Sequence, residues 1–149
     1  KRHGLARIVT KTKFLPKRAI VLNPFSEKAF SLADRQRVRD FGLVALDCSW
    51  EHAQKVLSSH VRGTSRCLPV LIAGNPVNFG KATKLSTVEA LAGALCLAGF
   101  KDYAERLLSI FTWGHTFLEL NAGLLDAYAA AKDSSDIVKI QAALCNKAE

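Results

Sequence analysis

Ala19-Ile20-Val21-Leu22, closed by Asn23-Pro24, is the stretch on which the fold turns. Four apolar residues are too few for a helix, and such a run bounded by turn residues reads as a strand buried on both faces. The pattern recurs at Leu43-Val44-Ala45-Leu46 before Asp47, and across residues 68–73 before Gly74-Asn75-Pro76. Between the first two runs, Ser31 can cap a helix reaching about Phe41, with Asp34 in its first turn and Gly42 just past its end. Between the second and third, residues 50–57 form a helix followed by a polar loop over 58–65. Strand, helix, strand, helix, strand implies right-handed crossovers and a parallel sheet, an α/β fold. In such sheets ligands gather beyond the carboxyl ends of the strands, where the three loops fall.

The rest reads as helix. Ser86-Thr87-Val88-Glu89 is a capping box that opens a helix over 87–98, stopped near Gly99. Further helices are expected over 101–111, 116–131 and 134–144, so the carboxyl half is helical. With 149 residues, 49% of them apolar, the chain suits one domain spanning 1–149. It contains no Met, even at position 1, so its basic amino-terminal segment, residues 1–41, is expected to be truncated upstream.

Charge divides unevenly. Residues 1–84 carry 16 Lys or Arg against 5 Asp or Glu, a net +11, whereas residues 85–149 carry 5 against 8, a net −3. A solvated surface explains such a run, and so does a surface that displaces counterions from nucleic acid phosphates. No apolar stretch approaches the roughly 18 to 20 residues a bilayer span needs. A cytoplasmic protein with no membrane partner is expected, and a monomer. Cys48, Cys67, Cys96 and Cys145 are scattered without C-x-x-C pairing, which fits reduced thiols and no metal site. Cys96 sits in an apolar helical run and reads as core.

Two segments can carry chemistry. Asp47-Cys48-Ser49-Trp50 places a carboxylate and a large aromatic at a strand-to-helix turn. Asp47 or Ser49 can cap the helix and Trp50 can anchor a core; equally, Asp47 can hold an ammonium group and Trp50 can pack on a sulfonium. Residues 74–80, Gly-Asn-Pro-Val-Asn-Phe-Gly, are either turn chemistry alone or a binding loop ahead of a helix N-terminus. They do not form a phosphate loop, and nucleotide-fold and hydrolase signatures are absent. His115 reads as a helix-cap histidine, and Glu119 and Asn121 line a site only if their segment folds over the loops.

Leu22-Asn23-Pro24, Ser31 to Asp34-Arg35, Asp47-Cys48-Ser49-Trp50, Arg66 with Leu68-Pro69, Asn75-Pro76-Val77-Asn78, Lys84-Leu85-Ser86-Thr87-Val88-Glu89-Ala90 and Trp113-Gly114-His115 with Phe117-Leu118-Glu119-Leu120-Asn121 occur in this order. Together they resemble the archaeal and eukaryotic small-subunit rRNA aminocarboxypropyltransferase family. The resemblance implies a SPOUT-like parallel sheet threaded into a trefoil knot, and S-adenosylmethionine as co-substrate. Carried onto matching positions, Trp50 and Ala53 surround the methyl and sulfonium, and Asp47 holds the amino group. Leu22 and Pro24 pack on adenine, while backbone near Leu46, Leu68, Thr83 and Thr87 holds ribose and base. Position 83 is commonly aromatic in the family, and a Cys-Thr/Ser element that precedes the stretch resembled by Arg2-His3-Gly4-Leu5-Ala6 would lie upstream of Lys1.

The implied reaction moves the 3-amino-3-carboxypropyl group to N3 of an N1-methylpseudouridine in small-subunit rRNA, within a pre-ribosomal particle, and releases methylthioadenosine. Asp47 is the nearest candidate base. The alternatives are a SPOUT-type RNA methyltransferase and a non-catalytic RNA-binding assembly factor.

Overall fold

A computed structural model of the protein describes residues 4–58 and 61–147. Lys1, Arg2, His3 and His60 lie outside the described residues, as does the side chain of Trp50. Strand β1 (Ile20–Leu22) is central, with β2 (Leu43–Val44) on one side and β3 (Thr64–Arg66) on the other, all parallel. Ile20 stands opposite both Leu43 and Thr64. Every residue of β1 is buried, as a strand covered on both faces requires. Helix α1 (Arg35–Phe41) joins β1 to β2, and α2 (Trp50–Ser58) joins β2 to β3. Ser31 does cap the first crossover. Its capping box with Asp34 opens a 3-10 turn, Leu32–Asp34, that leads into α1.

The third strand departs from expectation. It overlaps the end of the segment read as a polar loop, while residues 68–73 join no sheet and make only an isolated bridge, Ile72 with Ala82. Strand β3 is an edge strand, half-buried, so Thr64, Ser65 and Arg66 are tolerated there. Arg66 spends its charge inward, on Asp34 at 3.1 Å. Gly63 lets the chain enter β3: with φ +116, a Cβ there would stand 2.7 Å from the Val21 side chain and 2.8 Å from the Ala19 carbonyl oxygen.

Pro69, Leu71 and Ala73 are buried and Leu68, Val70 and Ile72 half-buried. The backbone of Leu71 and Ala73 is bonded to Thr83 and Lys81 in an isolated antiparallel bridge, while that of Val70 and Ile72 is paired by side chains. The Val70 N–H donates to Gln141 Oε1 at 2.9 Å, and the Tyr128 hydroxyl donates to the Val70 carbonyl at 3.0 Å. Asn121 accepts from the Ile72 N–H at 2.7 Å and donates back to the Ile72 carbonyl at 2.8 Å, as a neighbouring strand would. Pro69 supplies no N–H, which further weakens this run as a ladder strand.

Those side chains come from the helical half. Helix α3 (Thr87–Leu97) packs on α4 (Lys101–Leu108) and on α6 (Ala122–Ala129), with α5 (Gly114–Leu120) and α7 (Ser134–Lys147) completing the layer. The helix expected over 101–111 stops at Leu108. The one expected over 116–131 is two helices, broken at Asn121, whose buried amide also takes up the Phe117 carbonyl. Phe30, Leu71, Leu97, Leu108, Phe117, Tyr128 and Ile137 lie fully or almost fully buried in one core. Cys96 packs against it, and burial pushes its thiol up to about 11.

Burial likewise pushes the Tyr128 hydroxyl from its ordinary 10.0 up to about 12, with the nearby Cys145 adding in the same direction. For both groups the folded state favours the neutral form, so their stabilising contribution is complete at neutral pH. It is lost as pH rises, from about 9 to 11 for Cys96 and from about 10 to 12 for Tyr128. Urea unfolding should therefore give a falling free energy above about pH 9. Tyr128→Phe should flatten the decline above pH 10 and cost about 1 kcal/mol at pH 7, because the Val70 carbonyl loses its donor.

Candidate functional site

The loops after the three strands, with α2 and the start of α3, enclose a cleft of about 340 Å³. That is within the range of small-molecule sites, roughly 300–1,000 Å³. Leu22, Asn23 and Pro24 form the wall after β1. Ala45, Leu46 and Cys48 form the wall after β2, with Ala53 and Leu57 from α2 beside them. Cys67, Leu68, Pro69 and Leu71 follow β3, and Thr83, Leu85, Ser86, Thr87 and Ala90 close the cleft. The lining is mostly apolar, with a few backbone and hydroxyl groups to fix orientation.

Local chemistry sets each loop. After β1, the Asn23 N–H donates to the Arg66 carbonyl at 2.8 Å, a last bond to β3, and Asn23 Oδ1 then accepts from the Phe25 N–H at 2.9 Å, which turns the chain away from the sheet. After β2, Ser49 caps α2: its hydroxyl accepts from the His52 N–H at 3.3 Å. Asp47 is thereby released from capping. Its Oδ1 accepts the Thr87 hydroxyl at 2.9 Å, across to the first turn of α3, and the described residues give it no Lys or Arg partner. Thr83 has φ +63, a left-handed conformation costly for a β-branched residue, and its N–H is held on the Leu71 carbonyl at 2.9 Å.

Behind this wall lies Glu89, fully buried. Its Oε1 accepts from the N–H groups of Gly74 and Asn75 at 2.7 and 3.0 Å. Its Oε2 accepts from Asn75 Nδ2, the Ser86 N–H and the Ser86 hydroxyl at 2.7, 2.7 and 2.8 Å. Five donors converge on one carboxylate, so the expected capping box is present and also anchors the loop that starts at Gly74. That loop is pressed against α5, since a Cβ on Gly74 would stand 2.7 Å from the Phe117 nitrogen.

Of the residues singled out from sequence, Leu22, Pro24, Leu46, Ala53, Leu68, Thr83 and Thr87 wall this one cleft, and Asp47 is exposed and tied to Thr87. Trp50 opens α2 beside Ser49, its side chain outside the described residues. Asn23, Ala45, Cys48, Leu57, Cys67, Pro69, Leu71, Leu85, Ser86 and Ala90 were not singled out for it; Asn23, Cys48, Pro69, Leu85, Ser86 and Ala90 belong to quoted motifs. Burial raises the Cys67 thiol above its ordinary value, which keeps it protonated in the wall. Glu119 is exposed, and Asn121 is structural, its amide spent on Ile72 and Phe117. His115 lies exposed in the first turn of α5 rather than as its cap. Among the described residues no group of His, Cys, Asp or Glu is arranged to hold a metal ion. No helix among them is long and apolar enough to cross a membrane. A second, shallower depression, about 500 Å³, lies between Thr10, Lys11, Thr12 and Lys13 and the α2 residues His52, Lys55 and Val56, so the basic amino-terminal segment runs beside α2.

Residues 20–145 match the family described as "Ribosome biogenesis protein, C-terminal". The chain is 49% identical over 142 residues to the 16S rRNA aminocarboxypropyltransferase of Methanosarcina acetivorans, covering 94% of this chain and 80% of that one. It is 51% identical over 130 residues to the protein of the same name from Halobacterium salinarum, covering 87% and 76%. Among solved structures it matches the SAM-dependent rRNA:acp-transferase Tsr3 of Vulcanisaeta distributa, with a TM-score of 0.84 and 35% identity over 97% of this chain and 86% of that one.

The donor set around Glu89 makes a sharp prediction. Glu89→Gln keeps the shape but turns an NH2 toward groups that are themselves donors, so we expect a loss of at least about 2 kcal/mol in urea unfolding. Limited proteolysis should then cut within residues 74–80.

Proposed function

The chain belongs to the 16S rRNA aminocarboxypropyltransferase family, and from that premise we propose that it transfers the 3-amino-3-carboxypropyl group of S-adenosylmethionine to N3 of an N1-methylpseudouridine in small-subunit rRNA, releasing methylthioadenosine. One observation carries the reading: seven residues matched to the cofactor site, spread over positions 22 to 87, converge on one cleft. The lining suits the ligand, with apolar surface for adenine and thioether and a carboxylate at hand for an ammonium group.

Bound S-adenosylmethionine supplies a sulfonium that activates both its methyl and its γ-carbon, so positioning decides which group leaves. We assign Trp50 and Ala53 to shielding the methyl. Leu22 and Pro24 pack on adenine, and the backbone near Leu46, Leu68, Thr83 and Thr87 holds ribose and base. Asp47 has Oδ1 engaged by a neutral hydroxyl, which leaves Oδ2 for the ammonium group. Holding the amino group is its first role and proton uptake from N3 its second. The basic first half, including Lys11, Lys13 and Lys55 around the shallow depression, grips the rRNA backbone of a pre-ribosomal particle.

Within the same proposal, residues 1–149 act as one transferase unit with the knotted SPOUT-like threading of the resemblance, as a cytoplasmic monomer late in small-subunit biogenesis.

Transfer assays on rRNA with S-adenosylmethionine labelled either at the carboxyl carbon or at the methyl test the reading. Label should reach RNA from the carboxyl carbon, with methylthioadenosine as by-product; label from the methyl alone would make the protein a methyltransferase. Trp50→Ala should weaken cofactor binding by about tenfold in calorimetry, the scale of one cation–π contact. If the unaltered protein binds rRNA but no cofactor, it is an assembly factor.

A further inference from the structure

The loop anchored by Glu89 has a tip that the cofactor cleft does not use. Its stem is closed by the Ala73 N–H on the Lys81 carbonyl at 2.9 Å, the Gly80 N–H on the Ala73 carbonyl at 2.8 Å and the Thr83 N–H on the Leu71 carbonyl at 2.9 Å. Inside the loop, Asn75 is buried and bonded to Glu89, and its Oδ1 accepts from the Asn78 N–H at 3.0 Å. The tip is therefore held in one shape. Yet it carries two large apolar side chains in water: Val77 is 85% exposed and Phe79 is 60% exposed, while Phe30 and Phe117 are fully buried. A fixed loop that presents an aromatic ring to solvent keeps a ready-made contact surface, because no rearrangement is needed before a partner binds.

Position and charge identify the partner. The stem of this loop ends at Thr83, a wall of the cleft, so the tip extends from the rim of the site. Lys81, exposed, follows the tip directly, within the half of the chain that carries the net positive charge. An exposed ring beside a cation is the pairing with which proteins hold unpaired RNA: the base stacks on the ring and the phosphate meets the cation. A nucleoside whose ring nitrogen must reach a cofactor inside a cleft has to leave its own stack, and its neighbour then lacks a face to cover.

We propose that Phe79, with Val77 two residues before it on the same loop tip, is a stacking platform for the unpaired nucleobase next to the target nucleotide, and that Lys81 meets the adjoining phosphate. This rests on the transferase reading for the identity of the RNA, and on the loop geometry for the contact.

The test compares Phe79→Ala, Phe79→Trp and Lys81→Ala with the unaltered full chain. The probe is a synthetic small-subunit rRNA hairpin whose loop presents N1-methylpseudouridine. Phe79→Ala should weaken hairpin binding and raise KM for it by about tenfold, within the range of one base–aromatic stack. Its cofactor affinity and melting temperature should match the unaltered protein. Phe79→Trp should restore binding and add a fluorescence change on RNA addition that the protein with only Trp50 and Trp113 does not give. Lys81→Ala should weaken binding and reduce its salt dependence. Unchanged hairpin affinity in Phe79→Ala would overturn the proposal, as would a parallel loss of cofactor affinity. So would a defect seen on pre-ribosomal particles but not on the hairpin, which would assign the tip to a protein partner. If the unaltered protein binds the hairpin but transfers nothing, the transferase reading fails alone, because the equilibrium affinities still report the stack.

Discussion

The carboxylate of Glu89 is the constraint on which the ligand side of the molecule depends. It is buried without a Lys or Arg partner among the described residues, and a lone buried charge is tolerated only when hydrogen-bond donors replace its water. Gly74, Asn75 and Ser86 supply them, and the positive end of α3 adds to the field. The same charge therefore fixes the start of α3, the base of the 74–80 loop and the distance between them. Ser86 and Thr87, which it positions, form one side of the cleft, and Thr87 in turn holds Asp47.

The second constraint joins the halves. A parallel sheet of three short strands is a small platform, and residues 68–73 extend it without belonging to it. On one side Asn121, Tyr128 and Gln141 satisfy the backbone of Val70 and Ile72 in place of a fourth strand, and on the other Lys81 and Thr83 bond Ala73 and Leu71. The helical layer is thus no appendage: it completes the wall that carries Leu68 and Leu71 into the cleft. This also explains why Asn121, within a motif that carries the family resemblance, performs no chemistry.

Much of this architecture is legible in the sequence where local patterns act alone. Strands β1 and β2, the caps at Ser31 and Ser86 and the helical second half follow from apolar runs and capping residues. Strand β3 is not legible, because a half-buried edge strand made of Thr64, Ser65 and Arg66 has the composition of a loop. Residues 68–73 mislead for the opposite reason: their apolarity signals burial or half-burial, but the side chains that pair the backbone of Val70 and Ile72 lie about 50 to 70 residues away, beyond any local pattern. The break at Asn121 is marked only by Gly123, which lies inside the first turn of α6 and ends no helix there. For the cleft, spacing alone points to loops after strands and leaves Asp47 and Ser49 as equal capping candidates. The hydroxyl of Ser49 takes that task, which frees Asp47. The particular wall residues come from the family resemblance, and the second role of Glu89 stays hidden because the capping box already accounts for it.

Where S-adenosylmethionine binds, and which of its carbons is left open, decides between transfer of the aminocarboxypropyl group and transfer of the methyl. A crystal structure of the protein with this ligand measures both. It should place the adenine against Leu22 and Pro24 and the methyl against Ala53 at the start of α2, with the γ-carbon facing the mouth of the cleft. A ligand bound elsewhere, or one whose methyl faces the opening while its aminocarboxypropyl chain is enclosed, would contradict it.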